Sequence, residues 1–325
     1  MKKILCLALA VLLALGMAGC SSPGDGTAAQ TETKKLRVVA TIFPEYDWLR
    51  EIVGDDPHVE LTLLLDNGVD LHSYQPTADD ILAISRCDLF VYVGGESDKW
   101  VQDALATAAN PDQLAVSLLE ALGDAAKEEE TVEGMEAEEE EEDEEEPELD
   151  EHVWLSLRNA SALCGVLAEK LGQLDPEHRA DYAANAAAYQ EKLGALDRQY
   201  QAAVEAAPQK TVLFGDRFPF RYLTDDYGLG YYAAFAGCSA ETEASFETVI
   251  FLAGKVDELG LSAICQIETS DGSIARTIRE ATSAKDQEIL TLDSLQSTTA
   301  KDMEEGASYL GAMEQNLTVL TQALQ

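Results

Sequence analysis

The chain has 325 residues and a formal net charge of −39, from 61 acidic and 22 basic side chains. So acidic a surface repels phosphate backbones and attracts cations, which excludes nucleic acid as a partner. A hydrophobic content of 46% excludes a disordered chain and supplies enough apolar residues for globular cores.

The first segment, MKKILCLALAVLLALGMAGC, reads as two lysines, a short apolar core and small residues before Cys20. That pattern is a secretory signal, too short and wrongly flanked for a spanning helix. Its Leu-Gly-Met-Ala-Gly-Cys ending resembles a bacterial lipobox, which implies removal of residues 1–19 and lipidation of Cys20. The plainer alternative is an ordinary cleaved signal with an incidental cysteine. Residues 20–35 are small and polar, a tether between anchor and fold.

From residue 36 the pattern alternates between strand and helix. Runs 36–43 (LRVVATIF), 59–65 (VELTLLL) and 88–93 (DLFVYV) are apolar and β-branched, as expected of buried parallel strands. Between them, EYDWLREIVGD and TADDILAIS carry helical spacing, with Thr77 as N-cap and Asp80 three residues on. A further apolar run, QLAVSLLEAL, closes a first α/β lobe at 36–123.

Residues 128–151 hold seventeen carboxylates and no lysine or arginine. Like charges at that density oppose packing, so 124–151 is expected to be a solvated, mobile acidic loop. Residues 152–207 then read as helical and alanine-rich, broken once at Leu174-Asp175-Pro176. The second piece is long enough to run the height of two lobes and join them rigidly. Alternation restarts at 208–325 with TVLFGD, FRYLTDDYGL, YYAAFAG, a helix at SFETVIFLAGKVDELG, strand SAICQIE, helix SIARTIREATSA, strand EILTLD and a closing helix from 301. The fold class is therefore α/β, two doubly wound lobes joined by a long backbone helix, with a ligand site in the cleft between them.

The candidate site follows from ligand chemistry. Only four histidines occur, and His72 and His152 both lie in loops at element boundaries. Asp216, Glu268 and Asp293 end apolar strands of the second lobe, where doubly wound sheets present residues to a cleft. Mixed imidazole and carboxylate groups suit zinc or manganese. Each residue has a plainer reading: a loop histidine in a surface hydrogen bond, Asp293 capping the following turn, Glu268 holding a loop through backbone N–H groups. Cys87, Cys164 and Cys265 lie in apolar runs and read as small core residues. With Cys238 they offer no C-x-x-C pair, which argues against a cysteine-ligated zinc site and leaves disulfide pairing open.

Several ordered segments resemble the zinc and manganese solute-binding lipoproteins of bacterial ABC importers. VVATIFPEYDWLREIVGD is similar to that family's first strand and helix, and GVDLHSYQPTADDILAISRCDLFVYVGGESDKW to its first-ligand loop. DEHVWLSLRNA resembles its Asp-Pro-His-x-Trp-Leu segment, and LTLDSL its closing aspartate segment. The resemblance implies His72, His152 and Asp293 as metal ligands, Zn²⁺ ahead of Mn²⁺ as transported ion, and an ABC permease as partner. It also implies a monomer, lipid-anchored on the outer face of the cytoplasmic membrane. One place departs. Where the family carries His or Glu before an Asp-x-Phe-x-Tyr segment, this chain reads GDRFPFRY and sets Gly215 there, so Asp216, Glu268 or Glu243 is the candidate for a fourth ligand. Arg217 and Arg221 are placed to pair with carboxylates around the cleft.

Zinc-binding relatives carry a His-rich acidic loop where this chain has glutamates. The tract is then either a weak collector of cations or a plain spacer. Two other classes compete with transport. A metallohydrolase needs an open metal position and a general base, but the chain has no His-Glu-x-x-His, Gly-x-Ser-x-Gly or Gly-rich phosphate loop. A surface adhesin needs no converging imidazole and carboxylate groups.

Overall fold

The computed structural model describes residues 35–136, 148–239 and 243–325. The expected signal at 1–19, Cys20, all but the last residue of the tether, and the centre of the Glu-rich tract lie outside them. The first four strands are β1 (Leu36–Ala40), β2 (Val59–Leu63), β3 (Leu89–Tyr92) and β4 (Leu114–Ser117), in the order β2-β1-β3-β4. Every pairing is parallel. β3 is buried along its whole length, which is why its sequence is a continuous apolar run rather than an alternation.

Helices α1 (Phe43–Val53), α2 (Ala78–Arg86), α3 (Val101–Ala106) and α4 (Leu118–Leu122) connect and cover this sheet. α2 opens as predicted, with Thr77 and Asp80 forming a reciprocal capping box. The second lobe repeats the order as β6-β5-β7-β8, again parallel, from β5 (Thr211–Phe218), β6 (Gly230–Ala236), β7 (Ala263–Ile267) and β8 (Glu288–Leu292). The run FRYLTDDYGL, ambiguous in sequence, folds as α7 (Arg221–Tyr227) and stops at Gly228.

Between the lobes lie α5 (Leu157–Leu174) and α6 (Arg179–Ala206). At 28 residues α6 is about 42 Å long. It meets the first lobe where Asn185 Nδ2 donates to Ile52 O of α1 at 3.0 Å. It meets the second where Tyr200 Oη donates to Met313 O at 2.6 Å. After α8 (Phe246–Leu259) and α9 (Ser273–Ala281), the closing helix is split into α10 (Ala300–Glu304) and α11 (Tyr309–Ala323). Thr299 and Ser308 cap the two pieces separately. Cys87, Cys164 and Cys265 are buried free thiols, as their apolar settings predict.

The acidic loop differs from expectation at its flanks. Glu129 N donates to Glu148 O at 2.8 Å, Asp150 N to Lys127 O at 2.8 Å, and Glu136 N to Ala234 O of β6 at 2.9 Å. Met135 is buried against the core. Backbone pairing docks the flanks, and Asp150 and Glu151 are themselves buried there, so charge density alone did not decide packing here. The expected mobile segment at 124–151 is thus docked over 124–136 and 148–151.

Candidate metal centre

A loop after a strand and a segment leading into a helix bring two imidazoles together. In the first lobe, the chain leaving β2 turns at Leu71–Ser73, and Asp70 fixes that turn by accepting from His72 N at 3.0 Å. In the segment entering α5, Asp150 accepts from His152 N at 2.9 Å. His152 is wholly buried. The two Nε2 atoms face each other at 3.1 Å. Imidazole nitrogens at normal bond lengths from one tetrahedral zinc stand about 3.3 Å apart.

The opposite ring nitrogens are already engaged. His152 Nδ1 lies 3.0 Å from Asp150 Oδ1, and His72 Nδ1 lies 2.7 Å from Ser97 Oγ. Such carboxylate and hydroxyl partners fix the ring orientation and leave Nε2 as the free lone pair. Glu151 backs the pair: one oxygen accepts from Ser97 N at 2.8 Å, and the other is buried without a hydrogen-bond partner, 3.6 Å from His72 Nδ1. Burial, then the proximity of His152, push His72 down to about 3, against the pull of Asp70. The imidazole is therefore neutral at physiological pH, the form that coordinates metal.

A third group at this centre is one the sequence reading set aside. Cys238 Sγ lies within 4.8 Å of both imidazoles' ligand atoms. Its placement follows from Gly237, where a Cβ would meet His152 Cε1 at 2.8 Å, so the chain after β6 passes directly over that ring. Burial and the carboxylates of Glu151, Glu129 and Asp150 push the thiol well up. The only sequence signal was negative: of the four downstream cysteines, Cys238 alone sits in a polar turn, Ala-Gly-Cys-Ser, instead of an apolar run.

The carboxylate candidates are placed otherwise. Asp293 follows β8 and lines a pocket of about 370 Å³ together with Glu268, Phe43 and Ser297. Burial and the charge of Glu268 push it up to about 6. Glu268 is spent on a loop, accepting from Ser294 N at 2.7 Å, Ser294 Oγ at 2.8 Å and Ser297 Oγ at 3.0 Å. Asp216 accepts from Ile267 N of β7 at 3.3 Å and Arg217 N at 2.8 Å, at the point where the register between β5 and β6 shifts. Glu243 is exposed. The metal-capable group at the histidine pair, among the described residues, contains none of the four. The link between the two regions is Trp154, whose Nε1 donates to Ser294 O at 2.8 Å.

Gly215 is no vacant ligand position. A Cβ there would meet Ala275 Cα of α9 at 2.6 Å, so β5 faces the packed helix at that point and has no room for any side chain. Arg217, two residues on, reaches the cleft instead, donating from Nη2 to Asp70 Oδ2 at 2.6 Å. Arg221 pairs with Glu130 and Asp225 at 3.6 and 3.8 Å.

Residues 38–323 match the model of a known family, described as the periplasmic component A of the zinc-uptake complex. The chain belongs to this family. It is 33% identical to the zinc-binding lipoprotein AdcA of Streptococcus pneumoniae, over 99% of this chain and 61% of that protein. It is 30% identical to the high-affinity zinc uptake system protein ZnuA of Bacillus subtilis, over 95% and 93%. The Zn(II)-bound ZnuA-like domain of the pneumococcal AdcA superposes with a TM-score of 0.70 at 29% identity, covering 89% of this chain and 99% of that one. The chain thus spans about three-fifths of the length of its streptococcal relatives. The family is one of zinc-uptake components. No helix among the described residues is long and apolar enough to cross a membrane.

Proposed function

We propose that this protein captures zinc outside the cell and delivers it to the permease of an ABC importer. One observation carries the reading: two imidazoles, that of His152 wholly buried, face each other through Nε2 at 3.1 Å, with both Nδ1 atoms tied off. The names of the relatives support zinc as cargo.

In this reading His72 and His152 hold the ion, and Asp293 closes on it from the second lobe when the metal arrives. The lobes at 36–123 and 208–325 are joined by 152–207, and α6 keeps their relative motion small, so release on the permease proceeds through loop shifts. Cys20 carries the lipid that keeps the monomer at the membrane. Calorimetry with Zn²⁺ and Mn²⁺ tests the capture: tight zinc binding that His72→Ala abolishes is expected, and an absence of tight zinc binding overturns the proposal. Fatty-acid labelling that persists in Cys20→Ser would refute the anchor, and light scattering of the purified protein checks the monomer.

A further inference from the structure

We propose that Cys238 is the third protein ligand of the captured ion, making the centre a two-imidazole, one-thiolate site that takes zinc in preference to manganese. This rests on the uptake reading and specifies its chemistry. Three observations converge on it. The sulfur is within 4.8 Å of both ligand nitrogens, in a group that no carboxylate joins. The chain is held there by a contact only glycine permits, at Gly237 against the His152 ring. The remaining described cysteines are sealed in apolar cores, so Cys238 alone presents sulfur to a polar cleft.

The geometry closes with small movement. A tetrahedral zinc at its usual bond lengths holds nitrogen and sulfur about 3.6 Å apart, so binding draws the atoms in by about 1.2 Å at most. A fourth position stays open for a carboxylate or water. Thiolate sulfur is soft and suits zinc, whereas manganese favours carboxylate and water oxygens. The thiol gives its proton to solvent as the metal–sulfur bond forms.

The test is spectroscopic and uses the full chain. Cobalt(II) bound to the wild type should show a sulfur-to-metal charge-transfer band in the near ultraviolet. The band should vanish in Cys238→Ser and Cys238→Ala and persist in Cys20→Ser. X-ray absorption on the zinc-loaded wild type should show a sulfur shell at about 2.3 Å. Folded Cys238→Ser should lose more zinc affinity than the roughly 10–100-fold typical of an orienting group. A wild type that binds zinc and cobalt with no sulfur signal overturns the thiolate ligand and leaves the uptake reading standing. A wild type that binds no zinc overturns both. Because the wild-type spectra need no variant, misfolding of the substituted proteins does not shield the proposal.

Discussion

Arg217 at the end of β5 and Asp70 on the turn after β2 form an ion pair across the cleft at 2.6 Å, with both side chains largely buried. Asp70 also holds the His72 turn. Burial opposes its ionisation, yet the charge and hydrogen bond of Arg217, with the bond from His72 N, keep its carboxyl below the usual range. The pair therefore ties the lobes and sets the position of a proposed ligand in one contact.

Removing one partner strands the other. Arg217→Met should destabilise the metal-free protein by roughly 1–3 kcal/mol, because a largely buried carboxylate is left uncompensated. Adding Asp70→Asn should recover part of that loss. Denaturant titrations of the two single variants and the double one give the coupling, and simple additivity would refute it.

Asp150 orients His152 without belonging to the metal-capable group. Asp150→Ala should weaken zinc binding by about 10–100-fold while His152→Ala weakens it further. Calorimetry ranks the two, and an Asp150 variant that binds as the wild type does would show that the ring is fixed by its packing alone. Trp154, whose ring centroid is 5.2 Å from that of His152, offers a fluorescence reading of the same event.

Glu45 gives the stability a pH dependence. Its side chain is buried, and burial with the charge of Asp98 pushes it up to about 8, against hydrogen bonds from Ile42 and Thr41. An unfolded glutamate ionises near 4.3. The folded state thus keeps a proton that the unfolded chain releases, and this contribution to stability is lost as pH rises from about 4.3 towards about 8. Glu45→Gln cannot ionise. Its melting temperature should fall less between pH 5 and pH 8 than that of the wild type, and parallel slopes would contradict the buried neutral carboxyl.

The acidic tract separates into parts with different expected effects. Deleting 137–147 should leave tight zinc binding intact. Deleting 125–150 should weaken it, because Asp150 goes, along with the Lys127 N to Tyr222 Oη and Tyr222 Oη to Asp150 O bonds at 2.8 and 2.9 Å. Equal affinities for the two deletions would show that the docked flanks do not support the site.

Much of this was legible in the chain itself. Apolar runs with period-free burial dictated parallel strands, Thr77 and Asp80 marked a helix start, and the alanine-rich stretch dictated the long helix, since each depends on neighbours a few residues apart. The histidines were visible as loop residues at element ends. What the sequence could not rank was which polar groups share a point in space. His72 and His152 are 80 residues apart, and their meeting depends on sheet order and on how the lobes pack. The same holds for Gly215, whose glycine answers to the approach of α9, and for Cys238, admitted to the centre by the bare backbone at Gly237. Local propensity fixes the elements, while long-range packing alone decides which polar groups meet, because their proximity depends on distances that sequence separation does not encode.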